Sequence, residues 1–200
     1  MKFVSPWWDA DFADHGVHGG LAQKRTMQAA TKLCRKRRRA VDVGAHIGLW
    51  TAFLASQFAA VEAFEPVLEN FTCLCKNVDV ENVLRRQVAL GEHRGRASME
   101  RHGDNSGCWH VIEGRGVELL PLDHYVWTDV DLIKIDVEGL EGSVLRGARK
   151  TIAMSRPVVV IEYNGLGERL YGEDWVDPKA VLKEYGYQIQ ARLKKDEIWA

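Results

Sequence analysis

Short apolar runs recur along this chain, and stretches with helical spacing separate them. Ala40–Val43, Ala60–Phe64, Arg86–Leu90, Asp131–Asp136 and Pro157–Tyr163 read as strands. Helices are predicted from Leu21 to about Cys34, then over Gly48–Phe58, Val67–Val78, Leu140–Met154 and Pro178–Glu184, the last with proline near its first turn. Strands alternating with helices predict an α/β chain with a mostly parallel, doubly wound sheet. The near-continuous apolar run Pro157–Ile161 fits burial on both faces. Residues 92–121 have another rhythm. Arg96–Arg101, Cys108–Ile112 and Val117–Leu120 alternate and are broken by Gly and Asn, which predicts small antiparallel strands or a flap. Gly165–Asp174 reads as a loop. Tyr187–Leu193 and Glu197–Trp199 read as a C-terminal antiparallel hairpin around Lys194-Lys195-Asp196. Residues 1–20 read as an irregular arm. The expected organisation is a single domain over 1–200, with arm and helix over 1–39 and the core over 40–200.

Polar residues cluster at the carboxyl ends of the predicted strands, where such sheets bind ligands. The first strand ends in Asp42-Val43-Gly44-Ala45-His46-Ile47-Gly48, and the second in Phe64-Glu65-Pro66. A Gly turn, a helix, and a carboxylate about twenty residues on make half of a nucleotide-binding βαβ unit. Glu65 is placed for a ribose diol. His46 occupies the position where a dinucleotide fold needs its second Gly, and Gly48-Leu49-Trp50-Thr51 lacks the lysine of a P-loop. A ligand with a ribose but no phosphate fits better, and S-adenosylmethionine is the common one. Its carboxylate suits backbone N–H groups at the helix start. The turn alone also fits an ordinary glycine turn in another α/β protein.

A third segment, Lys134-Ile135-Asp136-Val137-Glu138-Gly139, again ends a strand in carboxylates. Together with residues 41–48, Phe64-Glu65-Pro66, Val88-Ala89-Leu90-Gly91, Leu145-Arg146-Gly147-Ala148 and Pro157–Glu162, it resembles the successive motifs of FkbM-type methyltransferases. The resemblance runs from about Val41 to Glu162. It implies a Rossmann-like class I methyltransferase fold, S-adenosyl-L-methionine as cofactor, and a hydroxyl acceptor whose identity varies among members. It carries Asp42, Gly44, Ala45, His46, Gly48, Glu65, Pro66, Ala89, Leu90, Ser106 and Asp136 over as cofactor-binding candidates. The turn Asn105-Ser106-Gly107 approaches the cofactor pocket in that family.

Methyl transfer from a sulfonium is an in-line displacement, so the protein holds the acceptor about 3–3.5 Å from the methyl carbon. A hydroxyl attacks well only as its proton leaves, which calls for a base. Asp136 and Glu138 are the catalytic candidates, placed on one side by the period of an extended chain. Asp136 is expected near the methyl donor and Glu138 as base or acceptor ligand. One of the two also suits a cap on the helix that follows Gly139. Glu162 and Asn164 end the fifth strand beside them. With Asp136 they offer oxygen ligands for an ion such as Mg²⁺, but substrate hydrogen bonding is the expectation and no metal is assigned. His46 touches ligand or is an ordinary loop histidine. His102, His110 and His124 lack ligand spacing, and only His110 is a candidate substrate contact.

Composition narrows the field. The chain has 200 residues, 46% hydrophobic and 28% charged, with net charge −1, so no global field draws it to nucleic acid or an anionic membrane. No apolar run reaches the roughly 18 residues of a membrane span, and the N-terminus has no apolar signal core. The expected setting is the cytoplasm. Its four cysteines have no C-x-x-C spacing, which argues against zinc. Arg35-Lys36-Arg37-Arg38-Arg39 is expected to be surface charge that does not define a nucleic-acid substrate. Trp7 and Trp8 either lid the pocket or pack. The leading expectation is an S-adenosylmethionine-dependent O-methyltransferase acting on a saccharide or other small metabolite. The alternatives are a nucleic-acid methyltransferase and a non-catalytic nucleoside-binding protein.

Overall fold

The computed structural model describes residues 3–6, 8–9 and 23–200. Most of the predicted arm, with Trp7, lies outside the described residues, as do Leu21 and Ala22 of the first predicted helix. Residues 23–33 form α1. Then come β1 (Arg39–Val43), α2 (Leu49–Ala55), β2 (Ala60–Phe64), α3 (Leu68–Asn77) and β3 (Val83–Arg86). A group of short strands follows: β4 (Ala89–Leu90), β5 (Gly95–Arg101), β6 (Trp109–Glu113) and β7 (Val117–Leu120). The chain continues with β8 (Val130–Ile135), α4 (Glu141–Gly147), α5 (Arg149–Ser155), β9 (Val158–Glu162), α6 (Leu166–Tyr171), α7 (Pro178–Glu184), β10 (Ile189–Leu193) and β11 (Asp196–Trp199). Among the described residues, no helix is long and apolar enough to cross a membrane.

The main sheet has the order β10-β11-β9-β8-β1-β2-β3. Strands β9, β8, β1, β2 and β3 are parallel; β11 is antiparallel to β9, and β10 to β11. The winding reverses between β1 and β8, so a ligand crevice opens at their carboxyl ends. Strand alternation sorts the core into two layers. Val41, Val43, Ile133 and Ile135 pack toward α4, α5 and α7, with Leu145, Ile152 and Leu182. Ala40 and Leu132 pack toward α1, α2 and α3, with Met27, Leu54 and Leu74. The predicted parallel sheet and closing hairpin are both present.

Three predicted elements differ. The strand expected over Arg86–Leu90 is two strands. β3 ends at Arg86 in the main sheet, and β4 pairs in parallel with β7 in a separate four-stranded sheet. In β3 only Val83 is buried, so this edge strand carries no apolar run to reveal it. The single helix over Leu140–Met154 breaks at Ala148. Asp123, from a short 3₁₀ turn, accepts from the Lys150 and Thr151 N–H groups at 2.8 Å each and caps α5 as a new helix start. The loop over Gly165–Asp174 contains α6, whose first N–H, at Leu166, is held by Asn164 Oδ1 at 3.0 Å.

Candidate active site

A cavity of about 180 Å³ opens over the carboxyl ends of β1, β2, β8 and β9, beneath the small sheet. Glu65 closes one end. It is 5% exposed. Its Oε2 accepts from the His46 N–H at 2.8 Å and its Oε1 from the Val67 N–H at 2.9 Å. A carboxylate offers about four lone-pair sites, so both oxygens keep acceptor capacity. Burial raises its pKa to about 7, against the pull of those two N–H groups. His46 is in the left-handed region, with φ 52°. Its Nε2 lies 2.7 Å from Ser106 Oγ, and burial lowers its pKa to about 4, so the ring is neutral. The Ser106 N–H donates to Asp9 Oδ2 at 2.6 Å, and its carbonyl accepts from Asn70 at 2.8 Å. Ser106 thus braces His46 from behind, while Gly107 lines the cavity.

The turn before α2 uses three of its own main-chain donors within the protein. The Gly44 and Ala45 N–H groups both donate to the Phe64 carbonyl, at 3.0 and 2.9 Å, and the Gly48 N–H donates to the Ala45 carbonyl at 2.9 Å. These donors are committed and do not wait for a ligand carboxylate. Gly44 lines the cavity, yet its glycine requirement comes from the neighbouring strand end. With φ 74°, a Cβ there would lie 1.8 Å from the Asp136 carbonyl oxygen. At Gly48 a Cβ would meet Val78 of the α3 terminus at 2.7 Å. Ala45 and Gly48 therefore shape the turn and stand off the cavity, whereas Pro66, Ala89 and Leu90 line it.

Asp42 is also placed behind the cavity, with no exposed surface. The β1–β8 register sets it opposite Lys134. Lys134 Nζ lies 3.3 Å from Asp42 Oδ1, 3.5 Å from Asp136 Oδ2 and 2.7 Å from the Gly44 carbonyl. Asp42 Oδ2 accepts from Thr51 of α2 at 2.6 Å. Burial opposes the lysine charge, but Asp42 and Asp136 overcome it and raise the pKa above the ordinary range. This buried cation ties both central strands to the cleft. The sequence reading assigned Lys134 no role; a lysine inside an apolar strand was the available signal.

At the other end Asp136, Glu138 and Glu162 bring carboxylate oxygens within 4.8 Å of one another. The expected period-two geometry does not apply, because Glu138 is left-handed with φ 54°. The helix-capping role falls to neither candidate. No side chain caps α4; Glu141 Oε1 instead reaches back to the turn before the helix and accepts from the Val137 and Gly139 N–H groups at 3.2 and 3.1 Å. Asp136 and Glu138 are left facing the cavity. Asn164 does not line it but reaches Glu138 Oε2 at 3.3 Å and Glu162 Oε2 at 3.0 Å. Burial, then the charge of Asp136, raises the Glu138 pKa to about 7. Burial, then Asp136 and Glu138, raises Glu162 to about 8. The crowding is met by a shared amide donor and by protons. His110 does not line the cavity. Along β6 its neighbours Trp109 and Val111 do, and alternation turns His110 to the back. His102 is nearer the chemistry, with Nε2 3.5 Å from Glu138 Oε2.

A family model described as the methyltransferase FkbM domain matches residues 42–189. The chain belongs to the FkbM methyltransferase family. An FkbM methyltransferase from Methylobacillus flagellatus KT is similar in structure, with TM-score 0.58 and 19% identity over 96% of this chain and 60% of that one. The chain therefore spans about 60% of the length of that relative. The Streptococcus mutans protein SMU.1697c, solved with SAH, gives TM-score 0.55 at 10% identity over 89% of this chain and 95% of that one. A ribosomal protein L11 methylase from Lactobacillus delbrueckii subsp. bulgaricus gives 0.51 at 14%, over 87% and 75%. No curated protein matches the chain. At these identities the structural likeness establishes the fold, a Rossmann-like class I methyltransferase fold.

In this FkbM chain the basic run lies away from the cleft. Arg37 bonds Gln57 and the Thr31 carbonyl, and Arg38 holds Asp131 at 2.6 Å. Arg39 reaches buried Glu62 at 2.6 Å and Asp129 at 3.0 Å. Arg39 is thus more than surface charge. Glu62 sits between it and Arg86, which approaches to 3.0 Å.

Proposed function

We propose that the chain is an S-adenosylmethionine-dependent O-methyltransferase acting on a hydroxyl of a saccharide or other small metabolite. The observation that carries this reading is the pairing of two unlike carboxylates across one cavity. Glu65 is a fixed acceptor held by main-chain N–H groups, and Glu138 is a crowded group poised near pH 7. The residues present fit the cofactor. Glu65 retains acceptor capacity for a ribose diol, and Pro66, Val88 and Leu90 supply an apolar wall beside it. S-adenosylmethionine, when bound, supplies an electrophilic methyl group and leaves as a neutral thioether. Glu138 takes the proton of the attacking hydroxyl. Asp136 faces the same space, and Lys134 offsets its charge from behind. Glu162 and Asn164 orient the acceptor by hydrogen bonds. Three carboxylates at the acceptor end disfavour an anionic acceptor such as nucleic acid. A cytoplasmic setting suits the four free thiols. The test combines calorimetry with S-adenosylhomocysteine and mass-spectrometric methylation assays on saccharide and oligonucleotide pools. Methylation of a saccharide or small-metabolite hydroxyl supports the reading. Methylation of oligonucleotides alone, or no binding of S-adenosylhomocysteine, overturns it.

A further inference from the structure

Behind the acceptor end lies a line of titratable groups that the reaction above does not use. His102 follows β5, and its Nε2, 3.5 Å from Glu138 Oε2, is buried without a hydrogen-bond partner. Its side chain is 14% exposed. The His102 ring meets the His110 ring edge-on, with centroids 5.4 Å apart. His110 Nε2 lies 3.6 Å from Glu100 Oε2, and the Glu100 side chain is 61% exposed. The β5–β6 register sets Glu100 opposite His110. Glu138, His102, His110 and Glu100 therefore lead from the cavity to solvent.

We propose that His102 and His110 form the exit path for the proton that Glu138 removes from the acceptor, with His102 as the positioning residue that sets the charge state of Glu138. The proposal rests on the reading of Glu138 as the base. Methylation of a hydroxyl releases one proton per turnover. The proton leaves the acceptor oxygen for the Glu138 carboxylate, then passes to His102 Nε2 to give an imidazolium. Transfer outward through His110 to Glu100 and water restores both groups. No electron and no further reagent is needed. His110 Nδ1 is also buried and unpartnered.

The surroundings suit the role. Glu138 is faced by Asp136 and Lys134 of β8, Glu162 of β9, Lys195 of the hairpin and Cys108 of the flap. His102 is faced by His110 and by Arg169 of α6, and His110 also meets Tyr171 of α6 at 6.2 Å. Burial, His110 and Arg169 lower the His102 pKa, so a proton taken from Glu138 is not retained on the ring and moves on.

The test is an NMR titration of the histidine rings in the full chain, with and without S-adenosylhomocysteine. In the native chain the His102 signal should show a second inflection near pH 7, and Glu138→Gln should remove it. A His102 titration that Glu138→Gln leaves unchanged overturns the proposal. The ligand-free arm stands even if S-adenosylhomocysteine does not bind, so failure of the relay is distinguishable from failure of the functional reading. Once an acceptor turns over, His102→Gln should lower kcat roughly tenfold or more, with KM and S-adenosylhomocysteine affinity kept. Imidazole in the buffer should partly restore His102→Ala. Native kcat in His102→Gln overturns the relay while leaving Glu138 as base.

Discussion

Glu65 and Glu138 stand at opposite ends of one cavity, and burial brings both near pH 7. Their partners are unlike. Glu65 has a main-chain donor on each oxygen, at 2.8 and 2.9 Å. Glu138 has one amide at 3.3 Å, a left-handed backbone, and the charges of Asp136 and Glu162 beside it. A carboxylate clamped on both oxygens is a fixed acceptor. One crowded by like charge and loosely held exchanges its proton readily. A raised pKa therefore does not identify a base; the hydrogen-bond partners do.

The largest expected effect tests the proton-exchanging end. Glu138→Gln should lower turnover roughly 10²–10⁴-fold while melting temperature and S-adenosylhomocysteine affinity hold. Equal turnover would erase the distinction between the two carboxylates. Next comes the cation that both ends share. Lys134→Met leaves the buried Asp42 charge without its counter-ion, at a cost of about 3–5 kcal/mol, or roughly 6–20 °C in thermal melting. A change under about 1 °C would mean that the ion pair does not organise the central strands. Glu65→Ala should weaken S-adenosylhomocysteine binding by about 1–3 kcal/mol, roughly 5–150-fold by calorimetry. Unchanged affinity would remove Glu65 from the cofactor site.

The two ends also differed in how far they could be read from sequence. The Glu65 end was legible as a position: a Gly turn followed by a carboxylate at the next strand end predicts a residue at the carboxyl edge of the sheet, and Glu65 lines the cavity there. Its hydrogen bonding was not legible, because the Gly44 and Ala45 donors are used by the Phe64 carbonyl across the sheet. Register decided this, and a single sequence does not show register. Asp42 failed for the same reason, since only the β1–β8 pairing sets it against Lys134. At the acceptor end Asp136, Glu138 and Glu162 converge as strand-end logic requires. His102 was overlooked because its partner lies 36 residues away, on a turn that the extended-chain argument did not anticipate. Elements with strong apolar periods, β1, β2, β8 and β9, were correctly located. The polar edge strand β3 and the short α6 were not, because their stability comes from neighbours and caps rather than from an apolar run.

Acidity offers a smaller test on the whole cavity. Glu65, Glu138 and Glu141 are raised from 4.5 to about 7, and Glu162 to about 8. The folded chain therefore holds protons that the unfolded chain has released, and their stabilisation is lost as pH rises through 7 to 8. His46 acts with the opposite sign, but only below 6.5, because its folded value is about 4. From pH 6.5 to 8.5 the melting temperature should fall. Over the same interval S-adenosylhomocysteine affinity should rise, since the ionised form of Glu65 is the better acceptor. Two curves moving together would show that one group does not govern binding apart from the others.

The smallest expected effect lies at Asn164. Its amide donates to Glu138 and Glu162 at 3.3 and 3.0 Å, which favours their ionised forms. Asn164→Ala removes both donors and leaves Glu65 untouched. A typical intramolecular hydrogen bond is worth about 0.5–1.5 kcal/mol net, or roughly 0.4–1 pH unit, and the one to Glu138 is long at 3.3 Å. The acid limb of the pH–kcat profile should move upward by about that much, while the pH dependence of S-adenosylhomocysteine binding stays in place. An immobile acid limb would mean that Glu138 keeps its proton affinity without Asn164. Burial and like charge would then tune that end without the amide, and the contrast with the clamped Glu65 would become sharper.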